Sequence, residues 1–189
     1  LNYVRALYLC FLFSINCLNM RILLEKVYIR AKGLKEDELW QVYYKMEMVK
    51  NAEKTIQEIN NSGHYVALIS SGVPDILMKD LTEKLHAGCG YGIDVKLNSG
   101  VCTGEIDGPL SYCEGKAQAV KRLLKTQNLT WDDVIVVGDD RNNLDIMGLA
   151  KVSIGFNSYY PVRKKAKYLA DGNDLSNVLD FINIEDEPT

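Results

Sequence analysis

Two histidines and no closely spaced cysteine pair leave this 189-residue chain without the usual ligand pattern of a structural zinc site. Its five cysteines, Cys10, Cys17, Cys89, Cys102 and Cys113, are odd in number and share no paired spacing. That argues against a disulfide framework and predicts free thiols in a reducing cytoplasm. Positive charge is not in excess either. The formal net charge of −3 gives no electrostatic footprint for nucleic acid or for an anionic membrane. Long apolar runs are missing too. The one candidate, ALYLCFLFSINCL (6–18) after a lone Arg5, has the length of a signal-peptide hydrophobic region but is too short to span a bilayer. No small-x-small cleavage site precedes Asn19-Met20, so a buried strand or helix of the domain is the favoured expectation.

What is present is the balance of an ordinary globular domain, 47% hydrophobic and 25% charged residues. Repeats and low-complexity tracts are absent, and only the acidic tail at 185–189 is expected to be disordered. Residues 1–19 form an apolar leader or strand, and 20–48 a helical segment with a C-cap at Gly33. In that segment Leu39, Val42, Tyr43 and Met46 recur at helical spacing. From 49 to 184 the pattern alternates. Helices are expected at AEKTIQEINNSG, PDILMKDLTEKLHAG, KAQAVKRLLKTQ, NNLDIMGLA and DLSNVLDFI, and a hairpin over 95–108. YVALIS (65–70), VIVVG (134–138) and VSIGF (152–156) read as strands, the first two apolar enough to be buried on both faces. Such alternation predicts an α/β fold with a Rossmann-like, doubly wound parallel sheet. Ligands of such sheets sit beyond the carboxyl ends of the strands.

Those ends carry polar groups. The first strand stops at Ser70-Ser71-Gly72, which is either an anion cradle or a helix cap. The second stops at Gly138-Asp139-Asp140, which is either a Mg²⁺ corner or a loop whose aspartate caps the helix from Asn142. Lys116 stands at a helix start, where the dipole disfavours positive charge. Together a hydroxyl, an ammonium and a carboxylate pair are the parts that phosphoryl transfer requires.

The order and wording of these stretches resemble the haloacid dehalogenase superfamily, and within it the phosphoserine phosphatase branch. VALISSGV is similar to the second motif of that branch, EGKAQAVKRLL to the third and VIVVGDDRNNLDIM to the fourth. NSGVCTGEIDG resembles the hairpin before the lysine, and VSIGFNSYYPVRKKAKYLA the segment that follows the fourth motif. The resemblance covers about residues 45 to 182 and implies a reduced helical cap at 20–48. It implies Mg²⁺-dependent hydrolysis of a small phosphorylated metabolite, with phosphoserine as a candidate. Ser70 and Lys116 would be catalytic. Ser70, Ser71, Gly72 and Asn142 would hold phosphate, and Asp139 and Asn143 the metal.

The chain also departs from that pattern. The resemblance implies an Asp-x-Asp-x-Thr motif before the second one, its first aspartate attacking phosphorus and its second moving protons. The only aspartate before residue 70 is Asp37, inside LKEDELW. In the fourth motif Asn143 replaces an aspartate and Asp140 a glycine, with Asp140 or Asp145 as possible compensation. The missing strand would lie between the two buried ones. ALYLCFLFSI could fill that slot, with Cys10 near the nucleophile, Leu12 in place of the second acid and Ser14 near the hydroxyl. Three accounts remain open: a damaged or incomplete copy, favoured by the leucine start; a pseudoenzyme that binds a phosphorylated ligand or protein partner; or a strand supplied by another segment or partner. Each predicts little turnover by this chain alone.

Overall fold

This computed structural model describes residue 13 and residues 18–186, with side chains to residue 182. Helix α1 (Met20–Tyr28) is started by Asn19, whose Oδ1 accepts from the Ile22 N–H at 2.9 Å. A 3-10 turn (Ile29–Ala31) and Gly33, at φ +90°, end the segment as the sequence predicts. Helix α2 (Glu36–Tyr44) has three acids in its first turn, matching the positive end of its dipole. It stops before Met46, so the expected apolar face is only half realised. Leu39 packs inward and Tyr43 donates to Asp80 Oδ2 at 2.7 Å, but Val42 and Met46 are 60% and 63% exposed.

The α/β core runs through α3 (Ala52–Asn61), β1 (Ala67–Pro74), α4 (Asp75–Lys84), β2 (Cys89–Asn98) and β3 (Val101–Asp107). It continues with α5 (Gly115–Gln127), β4 (Ile135–Gly138), α6 (Leu144–Met147), β5 (Val152–Phe156), α7 (Tyr160–Lys165), β6 (Tyr168–Ala170) and α8 (Leu179–Asp186). The closing helix begins with a 3-10 turn, Leu175–Val178, and takes in the first two residues of the acidic tail; residues 187–189 lie outside the described part.

Parallel pairing joins β1 to β2 and β4 to β5 to β6, while β2 and β3 form the antiparallel hairpin. The hairpin is longer than its sequence signal, because β2 begins at Cys89 to pair with β1. Its turn uses Ser99 and Gly100, both at positive φ. Helix α1 lies on this hairpin, with Met20, Leu24 and Tyr28 packed against Ile93, Val95, Cys102 and Ile106. Arg21 pins it there, donating to Ser111 Oγ at 2.7 Å and to the Ile106 carbonyl at 3.0 Å. Phe13 is the only described residue of ALYLCFLFSI (6–15). It is helical and buried in the same cluster, not strand; Cys10, Leu12 and Ser14 lie outside the described residues.

The parallel strands and the helices on both faces match the α/β, Rossmann-like expectation. Among the described residues the strands form two three-stranded sheets, β1-β2-β3 and β4-β5-β6. Val120 and Leu124 of α5 cover one face of β4, and α3 and α8 cover the other side of the second sheet. The strands expected to be buried on both faces are not: Tyr65 is 47% exposed, and Val137 of β4 is 40% exposed. Both residues line one groove between β1, β4 and α5.

Close contacts hold the starts of α3 and α5 in place. Lys50 Nζ lies 2.8 Å from Asp174 Oδ2 and Asn51 Nδ2 donates to the same carboxylate, clasping the start of α3 to the C-terminal segment. These partners and Ser176 hold the Asp174 carboxyl well below the usual carboxylate range. At the start of α5, a Cβ on Gly115 would lie 1.9 Å from the Pro109 carbonyl oxygen, so only glycine permits this approach. Gly115→Ala must move the helix start that carries Lys116. We expect a loss of about 1–3 kcal/mol in urea unfolding, with a wild-type midpoint counting against the close approach.

Candidate active site

The carboxyl ends of β1 and β4 open onto one cleft of about 660 Å³, within the size range of small-ligand sites. Ser70, Ser71 and Gly72 line it from β1, Lys116 from α5, and Asp139, Asp140, Arg141 and Asn142 from the turn after β4. Phe13, Met20, Leu23 and Leu24 form an apolar wall on the helical side. Of the site residues expected from sequence, all but Asn143 therefore line one space.

The β1 end leaves its ladder to do this. Ile69 pairs with Tyr91 and Pro74 with Ile93, so Ser70–Val73 loop out of register. Ser70 Oγ accepts from the Gly72 and Val73 N–H groups, each at 3.2 Å. This is a serine turn closed on itself, neither a helix cap nor a free cradle of amides. It corrects the expectation that the backbone after Ser70 is open to an anion. A hydroxyl can accept and still donate, so the Ser70 proton remains available to the cleft. The Gly72 carbonyl accepts from Tyr28 Oη at 3.0 Å, tying this loop to α1.

Lys116 is not a solvated surface lysine. It is 8% exposed, and its Nζ donates to Asn142 Oδ1 at 3.0 Å and to Asn143 Oδ1 at 2.6 Å. Gly138 makes room for this, since a Cβ there would meet Asn143 Cγ at 2.6 Å. Burial pushes the Lys116 ammonium below its ordinary 10.5, against the opposing pull of Asp140 and Asp139.

The two aspartates divide the two roles foreseen for them. Asp140 caps the 3-10 turn Arg141–Asn143, accepting from the Asn142 N–H and from Asn143 Nδ2, each at 3.1 Å. Burial, and then repulsion from Asp139, push its carboxyl above the ordinary 3.8. Asp139 lines the cleft, and its backbone carbonyl accepts from the Tyr159 N–H at 2.9 Å. Asn143 is buried, with its oxygen on Lys116 and its nitrogen on Asp140. It does not face the cleft as a metal ligand would. Asp145 is exposed outside the cleft lining and offers no compensation there.

Among the described residues no group of three or more acidic, histidine or cysteine side chains gathers as a metal site. A Mg²⁺ ion, which takes one or two carboxylates and fills its shell with phosphate oxygens and water, fits beside Asp139 only together with a phosphate. Arg141 is a cleft residue that sequence reasoning missed. It donates to the Phe13 carbonyl and lies over the Phe13 ring, 5.1 Å from its centroid. Its place between the two motif groups, in DDRNN, was the available signal.

Comparison with known proteins shows the family of the chain. A family model described as haloacid dehalogenase-like hydrolase matches residues 2–147, and another of that description matches 114–182. Phosphoserine phosphatase of Methanocaldococcus jannaschii is 26% identical over 165 residues, covering 87% of this chain and 78% of that protein. The enzyme of that name from Archaeoglobus fulgidus is 25% identical over 142 residues, covering 75% of this chain but only 40% of its own length. A solved phosphoserine phosphatase described as a phospho-aspartyl intermediate analogue superposes with a TM-score of 0.86 at 23% identity, covering 94% of this chain and 84% of that one. No described helix is long and apolar enough to cross a membrane.

The desolvated lysine has a measurable consequence. Between its lowered folded value and 10.5, the unfolded chain binds more protons than the folded one, so this group adds stability as pH rises. Urea unfolding of wild type and Lys116→Met from pH 7 to 10 should show the wild type gaining on the variant. Parallel curves would mean that the ammonium is not desolvated.

Proposed function

The chain belongs to the haloacid dehalogenase-like hydrolases, and on that footing we propose that its cleft holds the phosphate of a small phosphomonoester, with O-phosphoserine the first candidate. The observation that carries the reading is the convergence of a Ser70 hydroxyl, a buried Lys116 ammonium and an Asp139 carboxylate from three separate elements on one cleft. Ser70 donates its proton to one phosphate oxygen. Lys116 offsets the phosphate charge through its remaining N–H. Asn142 gives its Oδ1 to Lys116, which leaves its Nδ2 to donate to the ligand. The apolar wall from α1 excludes water beside the phosphate and limits the size of the organic group. Asp139 would hold a Mg²⁺ ion here, and that ion would supply charge neutralisation for the phosphate.

Phosphoserine enters through the similar enzymes, which carry that name. Turnover is a separate matter. No aspartate other than Asp37 precedes Ser70, and Asp37 sits in the first turn of α2. The polypeptide alone therefore lacks a nucleophile where the resemblance places one, and we infer that it binds a phosphomonoester far better than it hydrolyses it. A second reading, a catalytically silent phosphate-binding protein, draws on Asn143, whose oxygen is turned onto Lys116 and away from the cleft. A cytoplasmic setting suits the free thiols of either reading.

Calorimetric titration with orthophosphate in the presence of Mg²⁺ should detect binding that weakens about tenfold in Ser70→Ala, the loss of one hydrogen bond to a charged group. Undiminished binding by that variant would remove the phosphate assignment. Incubation with O-phosphoserine and Mg²⁺ should release phosphate at background rate. Turnover that Asp139→Ala abolishes would overturn the low-activity reading and leave the binding site standing.

A further inference from the structure

The lining of the cleft divides by chemistry. Ser70, Lys116, Asp139 and Asn142 are the groups assigned above to phosphate and metal. Most of what remains is apolar or aromatic: Phe13, Met20, Leu23 and Leu24 on the helical side, and Tyr159 and Pro161 at the start of α7. Phe13, Met20 and Leu24 belong to the buried cluster on the hairpin, so this wall is packed from behind and keeps its shape. A pocket of this composition gains most from a ligand that buries apolar surface against it.

Charge narrows the ligand further. Among the described residues Asp139 and Asp140 are the only carboxylates in the lining, and both stand on the turn after β4. Asp139 is the group assigned to Mg²⁺, and Asp140 caps its own turn. Glu25 of α1 pairs with Arg21 and lines a different groove. Residues 1–19 contain no aspartate or glutamate, so the segment that leads into the wall cannot add one. O-phosphoserine carries an ammonium and a carboxylate on its organic group. Against this wall the ammonium loses water and meets no acid, which is costly. Arg141 is the one cation of the lining besides Lys116, and it is directed at Phe13, through the carbonyl and over the ring. It braces the apolar wall.

We propose that the cleft selects phosphomonoesters whose organic group is uncharged and apolar, aryl phosphates first, over O-phosphoserine, the candidate that the names of the similar enzymes supply. The preference rests on the phosphate-site reading above and specifies the organic group beside that phosphate. A ring meets Phe13 and Tyr159 by offset or edge contacts, and Leu23 and Leu24 by burial of apolar surface.

Calorimetric titration of the full chain with Mg²⁺ compares orthophosphate, phenyl phosphate and O-phosphoserine. Phenyl phosphate should bind at least about tenfold more tightly than orthophosphate, and O-phosphoserine no more tightly than orthophosphate. Leu23→Glu puts a carboxylate into the wall and should move the ratio of the two ester affinities about fivefold toward O-phosphoserine. A ratio is read because general loosening of the fold weakens both esters alike. Phenyl phosphate no tighter than orthophosphate, O-phosphoserine tighter than phenyl phosphate, or an unchanged ratio in Leu23→Glu would each overturn the proposal. Orthophosphate separates the two readings. If it binds and the ester preference is absent, the phosphate site stands without its apolar selectivity; if it does not bind, both fall.

Discussion

An ammonium buried against two amide oxygens, with Asp140 and Asp139 near enough to favour its charge, constrains the rest of this structure. Lys116 stands at the start of α5, where the helix dipole is against it, and gives up most of its water. Asn142 and Asn143 answer with their oxygens, which fixes the turn after β4. Asn143 in turn holds Asp140, and Asp140 caps that turn. Two glycines make the arrangement possible: Gly138 leaves room for Asn143, and Gly115 lets the lysine's helix start against Pro109. Remove the lysine and the network loses the charge that orients it.

The same lysine sits in the cleft where Ser70 and Asp139 arrive from separate strands. Three elements distant in sequence therefore deliver a hydroxyl, an ammonium and a carboxylate to one space, and the phosphate-site reading rests on that meeting.

The helical segment takes part through two hydrogen-bonding side chains. Tyr28 reaches the Gly72 carbonyl, and Arg21 reaches the hairpin and the Pro109–Ser111 turn. They fix α1 as the apolar wall of the cleft. Neither contact has a sequence signature, since both cross long separations in the chain. The spacing of Met20, Leu24 and Tyr28 announces a helix face but not its partner.

The sequence by itself determined the alternation of helices and strands, the hairpin, and the polar strand ends that carry the site. Periodicity, glycine turns and β-branched runs are local properties, and local physics writes them into the chain. It also determined the absence of an aspartate pair ahead of Ser70. Only the tertiary structure decided that Lys116 is buried, that Ser70 closes on its own loop, and that Asp140 caps while Asp139 faces the cleft. Each of these depends on which side chains from distant segments share a space and how little water is left between them, and no window of sequence contains that information.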